Sequence, residues 1–205
     1  MFEKYKKSQK AVLETALRLL SENDLQATSM SMISSESGVS MGSIYNSFTG
    51  KEDIVNELFT SIVEFQTEIV LKDFYDGSAI HERFAKVWRK VFETSVDYPD
   101  AFQFIERYSL SPYIRDASKK AAYQSNWCGP LSQLYAEAIQ KGLFIAGEPR
   151  LMVQMHWGTV VYLVKGYLQG NLELSPEVVR MTICSCWNSV STPEGFNWLV
   201  EKGVV

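Results

Sequence analysis

The stretch Ser29–Phe48, SMSMISSESGVSMGSIYNSF, decides how the rest of the chain is read. Ser29 opens a short run whose apolar anchors are Met30 and Ile33, and Gly38 follows it. Glycine accepts the left-handed backbone that a tight turn needs after a helix end. Ser40 is then a ready N-cap for a second short run, Met41–Phe48. Two short helices joined by a glycine-containing turn have the shape of a helix-turn-helix, whose second helix enters the DNA major groove. Ser40, Met41, Gly42, Ser43, Tyr45 and Asn46 would stand at that groove. Serine and asparagine address base edges or phosphates, and a tyrosine hydroxyl can donate to a phosphate oxygen. Gly42 removes a side chain where backbone and DNA approach closely.

Upstream, Tyr5, Gln9, Val12, Leu13, Ala16, Leu17 and Leu20 recur at spacings of three and four, which predicts an amphipathic helix. Downstream, Thr49 and Glu52 have capping-box spacing. They predict a further helix from Gly50–Lys51 through Ile54, Leu58, Ile62, Phe65 and Ile69. Lys51 would bring a cation and free amides to one phosphate at that helix N-terminus. Helical periodicity restarts at Ile80, and Pro99 opens another helix. Tyr113–Lys141 follows, with a kink or break expected at Gly129-Pro130. Glu148-Pro149 and Ser175-Pro176-Glu177 carry start signals for two long helices, and Thr192-Pro193-Glu194 for a short terminal one. Thr159–Val164 is β-branched, but its flanks are helical in period. The expectation is an all-α chain of about nine to ten helices. An N-terminal three-helix helix-turn-helix domain, residues 1–50, is joined to a larger helical bundle, residues 51–205.

These residues resemble the DNA-binding head of the TetR family of bacterial regulators. The family pattern is roughly a capping Thr/Ser, Ile-Ala-x-x-Ala-Gly-Val-Ser, a helix ending in Tyr-x-x-Phe, and Lys-Glu-x-Leu. This chain offers Thr28/Ser29, Ile33-Ser34-Ser35-Glu36-Ser37-Gly38-Val39-Ser40, Ser43-Ile44-Tyr45-Asn46-Ser47-Phe48 and Lys51-Glu52-Asp53-Ile54. Ser34 and Ser37 stand where the family usually has alanine, a nearly isosteric change. The resemblance implies DNA contacts at Thr28, Ser29, Ser40, Met41, Gly42, Ser43, Tyr45, Asn46 and Lys51. It also implies a repressor acting on a pseudo-palindromic double-stranded operator, and a body that binds a small effector. An all-α small-molecule carrier or protein-interaction module whose head does not bind DNA is the competing reading.

Charge refines this expectation. The chain carries 20 Lys+Arg against 24 Asp+Glu, a formal −4 that excludes a histone-like polycation. Residues 1–53 hold six cations against seven carboxylates, yet Lys4, Lys6, Lys7 and Lys10 against Glu3 leave residues 1–10 at +3. Few cationic phosphate contacts are expected per subunit. No glycine-rich phosphate loop, no Gly-x-Ser-x-Gly elbow and no set of zinc-spaced ligands occurs, so no enzyme, metal or cofactor is expected. Cys128, Cys184 and Cys186 read as small core residues of a reduced protein. The lysines near the N-terminus have no apolar segment behind them, and Leu151–Leu168 is interrupted by Gln154, His156 and Lys165. A cytoplasmic protein with no membrane partner is expected.

Hydrophobic residues make up 46% and aromatics 13% of the chain, many of the rings between Phe84 and Tyr167. Each alone reads as core packing. The resemblance instead suggests an effector pocket, with Trp88, Phe92, Phe104, Tyr108, Trp127, Tyr135 and His156 as candidates for an apolar or aromatic ligand. The helices Leu151–Gly170 and Ser175–Val190 are apolar over more than one face, so they are central or paired with another subunit. By resemblance they form a homodimer interface, with Val160, Val164, Tyr167, Met181 and Trp187 as candidates.

Overall fold

The computed structural model describes residues 1–125, 127–196 and 198–203, with backbone alone at 123–125. Among the described residues there are eleven helices and no strand: α1 Lys7–Glu22, α2 Met30–Ser37, α3 Met41–Tyr45, α4 Lys51–Val70, α5 Ile80–Asp97, α6 Pro99–Tyr108, α7 Asp116–Ser125, α8 Cys128–Gln140, α9 Pro149–Leu168, α10 Pro176–Val190 and α11 Trp198–Glu201. Thr159–Val164 lies inside α9, where tertiary burial of Val160 and Val164 outweighs β-branched propensity.

One helix more than the upper expectation arises because Tyr113–Lys141 yields both α7 and α8. The break falls ahead of Gly129-Pro130, which sits in the first turn of α8. A proline there costs little, because its missing N–H would have had no partner anyway. The second helix of the turn motif is shorter than 41–48. After Tyr45 the chain closes through Ser47 and Phe48 N–H bonds to the Ile44 carbonyl, at 2.9 and 2.8 Å. Asp53, one position later than the expected Glu52, accepts the Thr49 N–H at 3.1 Å. Ser175 and Glu148 cap α10 and α9, each followed by proline at the start of its helix.

The chain forms two compact units, Met1–Phe65 with Tyr98–Ala122, and Gln66–Asp97 with Tyr123–Val205. In the first unit, α1 buries Val12, Leu13, Ala16, Leu17, Leu19 and Leu20. It packs against α2, α3 and α6. Ile33, Ile44 and Phe48 close the same core, each apolar side chain contributing about 1.5–3 kcal/mol by burial. The Arg107 guanidinium on α6 donates to the Leu20 and Asn23 carbonyls at 3.1 and 2.9 Å, satisfying the otherwise open C-terminus of α1. The Tyr5 hydroxyl reaches Glu57 and, at 2.6 Å, Ser61 on α4. In the second unit α5 is central, contacting α8, α9, α10 and α11. Its Phe84 is fully buried, with ring centroids of Trp187 at 5.1, Tyr135 at 5.7, Phe144 and His156 at 6.1 and Trp88 at 6.4 Å.

Candidate functional site

The helix-turn-helix is stitched by serines. Ser29 Oγ accepts the Met32 N–H at 3.1 Å, and Ser40 Oγ accepts the Ser43 N–H at 3.3 Å, so each short helix begins on its own hydroxyl. Gly38 between them has φ +67°, the left-handed backbone for which glycine is suited. Ser34 Oγ donates across the turn to the Val39 carbonyl at 2.8 Å, and Ser37 Oγ accepts the Val39 N–H at 3.3 Å.

With the turn held from within, the outer surface of α3 is left open. Gly42, Ser43, Tyr45 and Asn46 are exposed and Met41 is half-buried, while Ile44 alone points inward. A Cβ added at Gly42 would meet nothing within 4 Å, so packing inside the chain does not require glycine there.

Two candidates for DNA contact occupy other places. Thr28 is fully buried, its hydroxyl donating to the Asp24 carbonyl at 3.2 Å. Lys51 Nζ donates to the Leu25 and Thr28 carbonyls at 2.5 and 2.8 Å. Its ammonium therefore braces the α1–α2 connection, with two of its three donors engaged. Other head cations are paired: Lys4 with Glu64 and Lys10 with Glu3, both at 2.5 Å, and Arg18 with Glu36. Lys6 and Lys7 are exposed and carry no ion pair among the described residues.

The seven aromatic and polar candidates of the body do not surround one cavity. Phe104 and Tyr108 belong to the first unit, their rings 4.9 Å apart. Trp88, Tyr135 and His156 fill the core of the second unit as a closed relay. Trp88 Nε1–H donates to the Tyr135 oxygen at 2.9 Å, and the Tyr135 hydroxyl lies 2.5 Å from His156 Nδ1. Because Ser189 donates onward to the Cys186 carbonyl, it accepts from His156 Nε2, which leaves Nδ1 to accept the Tyr135 proton. His156 then carries its proton on Nε2 and gives it to Ser189 Oγ at 3.1 Å, and Ser189 donates to the Cys186 carbonyl at 2.8 Å. Burial pushes the His156 pKa down to about 4 and the Cys128 and Cys186 thiols up to about 12, which keeps all three neutral.

Phe92 lines an open cavity of about 500 Å³ between α5 and the start of α10, floored by Val96, Leu174 and Val179. Trp127 stacks obliquely on Trp157, ring centroids 5.5 Å apart, over a much smaller void of about 10 Å³, room for one water. Gln66, Val70, Val91, Thr94 and Ser95 complete its wall. Thr94 Oγ is buried without a hydrogen-bond partner, an arrangement that costs about 1–3 kcal/mol. No sequence motif marks Gln66 or Thr94.

On the proposed pairing helices, Val160, Val164 and Trp187 are fully buried inside the single chain and are not surface residues. Tyr167 and Met181 are exposed, as are Leu151, Met155 and Tyr162. No described helix is long and apolar enough to cross a membrane.

The profile of bacterial regulatory proteins of the tetR family matches residues 12–58, and that of the tetracyclin repressor-like C-terminal domain matches residues 58–192. A fatty acid metabolism regulator protein of Bacillus subtilis is 25% identical over 183 residues, covering 86% of this chain and 94% of its own. An HTH-type transcriptional regulator of Haemophilus influenzae is 20% identical over 84% of this chain and 90% of its own. Among solved structures, a TetR family regulator from Marinobacter aquaeolei superposes with a TM-score of 0.83 at 21% identity, over 93% of this chain and 99% of that one. With a helix-turn-helix matched at its head and a C-terminal domain matched over most of the remainder, the chain belongs to the TetR family of transcriptional regulators, non-enzymatic DNA-binding proteins.

Proposed function

We propose that this regulator is a repressor whose operator affinity is set by a small apolar effector, with residues 1 to about 50 binding DNA and residues 51–205 sensing and dimerising. The observation that carries DNA recognition by this head is the α3 surface: Gly42, Ser43, Tyr45 and Asn46 are exposed, while the turn's own hydrogen bonds are closed by Ser29, Ser34, Ser37 and Ser40. Ser29, Ser40 and Met41 flank that surface as further contacts, whereas Lys51 and Thr28 position it. Regulators of this family bind operators as dimers and respond to small-molecule ligands. Leu151, Met155, Tyr162, Tyr167 and Met181 are the exposed apolar residues that support a homodimer face on α9 and α10. The effector class is fatty-acid-derived, a reading supported by the Bacillus subtilis relative. The site of action is the cytoplasm.

The test begins with selection of bound fragments from random duplex DNA, followed by anisotropy titration against the best fragment. Tyr45→Ala should weaken operator binding by about tenfold or more, the loss of one good contact. An unchanged affinity would remove the DNA reading in favour of a carrier or interaction module. Because most head cations are internally paired, the slope of log K against log salt should be shallow, and Lys6→Ala should reduce it by about 1. Sedimentation showing only a monomer at micromolar concentration sinks the dimer.

A further inference from the structure

We infer that the void beneath Trp127 and Trp157 is the closed form of the effector site, and that it takes a neutral apolar ligand presenting one hydrogen-bond-accepting carbonyl. This rests on the effector reading above and narrows it to a place and a chemistry.

Three features point there. Thr94 Oγ is buried and unpartnered, and Gln66, 7% exposed, makes no side-chain hydrogen bond among the described residues. Both can donate, so an acceptor entering this small space would meet a hydroxyl and an amide NH₂. The remaining wall is Val70, Val91 and the two indoles, with Ser95 already donating to the Val91 carbonyl at 2.7 Å. No charged side chain lines the void. A carboxylate entering it would lose its hydration and find no cation, whereas an ester or amide carbonyl would find two donors.

The void has room for only about one water, so a ligand must displace a wall. Trp127 stands in the α7–α8 connection and Trp157 on α9, and both are only partly buried. Swinging one indole outward opens room of about its own size and leaves the Val70–Val91 floor for an alkyl or aromatic body. The larger cavity between α5 and α10 lacks this signature. Its polar groups, Arg89, Glu93, Asp97 and Arg180, are a mixed-charge rim in contact with solvent, so no group there is left wanting a partner.

The test uses the full-length protein with methyl decanoate and sodium decanoate, each below its aggregation concentration. Tryptophan emission reports binding, and anisotropy of the labelled operator reports release. Methyl decanoate should bind at least about tenfold more tightly than decanoate. Thr94→Val should cost the ester about tenfold in affinity. The same variant should unfold at an equal or higher temperature, because it removes an unsatisfied buried hydroxyl. Gln66→Leu should act in the same direction, and Trp127→Phe should reduce the emission change. Equal binding of both lipids, or ester affinity indifferent to Thr94→Val, overturns the site and its chemistry. If either lipid still releases operator in that case, the effector-controlled repressor stands without this site. Ester binding that depends on Thr94 but leaves operator affinity unaltered keeps the site and removes the coupling, since linkage is reciprocal.

Discussion

The two compact units spend their polar side chains differently. In the first, side chains reach backbone carbonyls at a helix end and in the connections between helices: Arg107 to Leu20 and Asn23, Lys51 to Leu25 and Thr28, and the Asn56 amide to the Tyr113 carbonyl at 2.8 Å. In the second, core polar side chains bond to one another in a run from Trp88 through Tyr135 and His156 to Ser189, beside a buried Trp187 indole that donates to the Gly195 carbonyl. Backbone-directed contacts fix how helices end and turn, and leave the outer face of α3 free for another molecule. A side-chain relay fixes how rings pack, and it occupies the polar groups of Trp88, Tyr135 and His156 with one another. The first arrangement suits a surface that reads. The second suits a core that holds shape while a void beside it remains unsatisfied.

The largest effect that would break this contrast lies at the centre of the second unit. Phe84→Ala removes a fully buried ring in contact with five others, and should destabilise the protein by about 3–5 kcal/mol. Urea unfolding followed by near-UV circular dichroism measures it. A loss under 1 kcal/mol would mean that the ring cluster is not the core that holds this unit.

Next is the pH response of the relay. His156 is held neutral in the fold with a pKa near 4, against about 6.5 when unfolded. Between those values the unfolded chain binds a proton that the folded chain refuses. The stability contribution is therefore complete above pH 6.5 and is lost as pH falls toward 4, by about 3 kcal/mol in all. Denaturant unfolding at pH 7 and pH 4.5 gives the difference, and His156→Gln separates it from carboxylate titration by flattening that part of the curve. Identical pH dependence in both proteins would rule out the relay as its source.

What could be read in advance follows the same contrast. Gly38, Ser40, Glu148-Pro149 and Ser175-Pro176 announced their roles because caps act between residues a few positions apart. The exposed α3 residues were legible for the same reason. Lys51 has the residue type of a phosphate contact, yet its partners are backbone carbonyls 26 and 23 positions away. Every residue has a carbonyl, so no side-chain pattern marks such a contact. Rings at helical spacing identified an aromatic body, but spacing does not distinguish rings that fill a space from rings that enclose one. Trp88, Tyr135 and His156 fill it. Val160, Val164 and Trp187 were apolar on helices apolar over more than one face, and only packing showed that they point into their own subunit.

A smaller effect tests the backbone-directed half. Arg107→Ala opens the Leu20 and Asn23 carbonyls at the end of α1, and should cost about 1–2 kcal/mol, with faster amide exchange concentrated in the last turn of that helix. Arg107→Lys keeps the charge but loses the planar fork, so it should recover only part of the loss. Uniform exchange along α1 in the alanine variant would show that the guanidinium does not cap it.

The smallest expected effect concerns Ser34, which stands where alanine is usual in this family. Its hydroxyl bonds to the Val39 carbonyl at 2.8 Å across the turn, so Ser34→Ala removes a real contact. The contact is only partly buried, however, and the freed carbonyl can turn to water, which holds the loss to about 0.5–1 kcal/mol. Alanine in the same helix returns a few tenths of a kcal/mol through its better intrinsic propensity. The two nearly cancel, and the exposed face of α3 does not include Ser34. Thermal unfolding and operator titration should therefore both sit close to the parent protein. A loss of operator affinity without loss of stability would reveal that the serine stitch sets the angle between α2 and α3, a role that the capping serines Ser29 and Ser40 would then share.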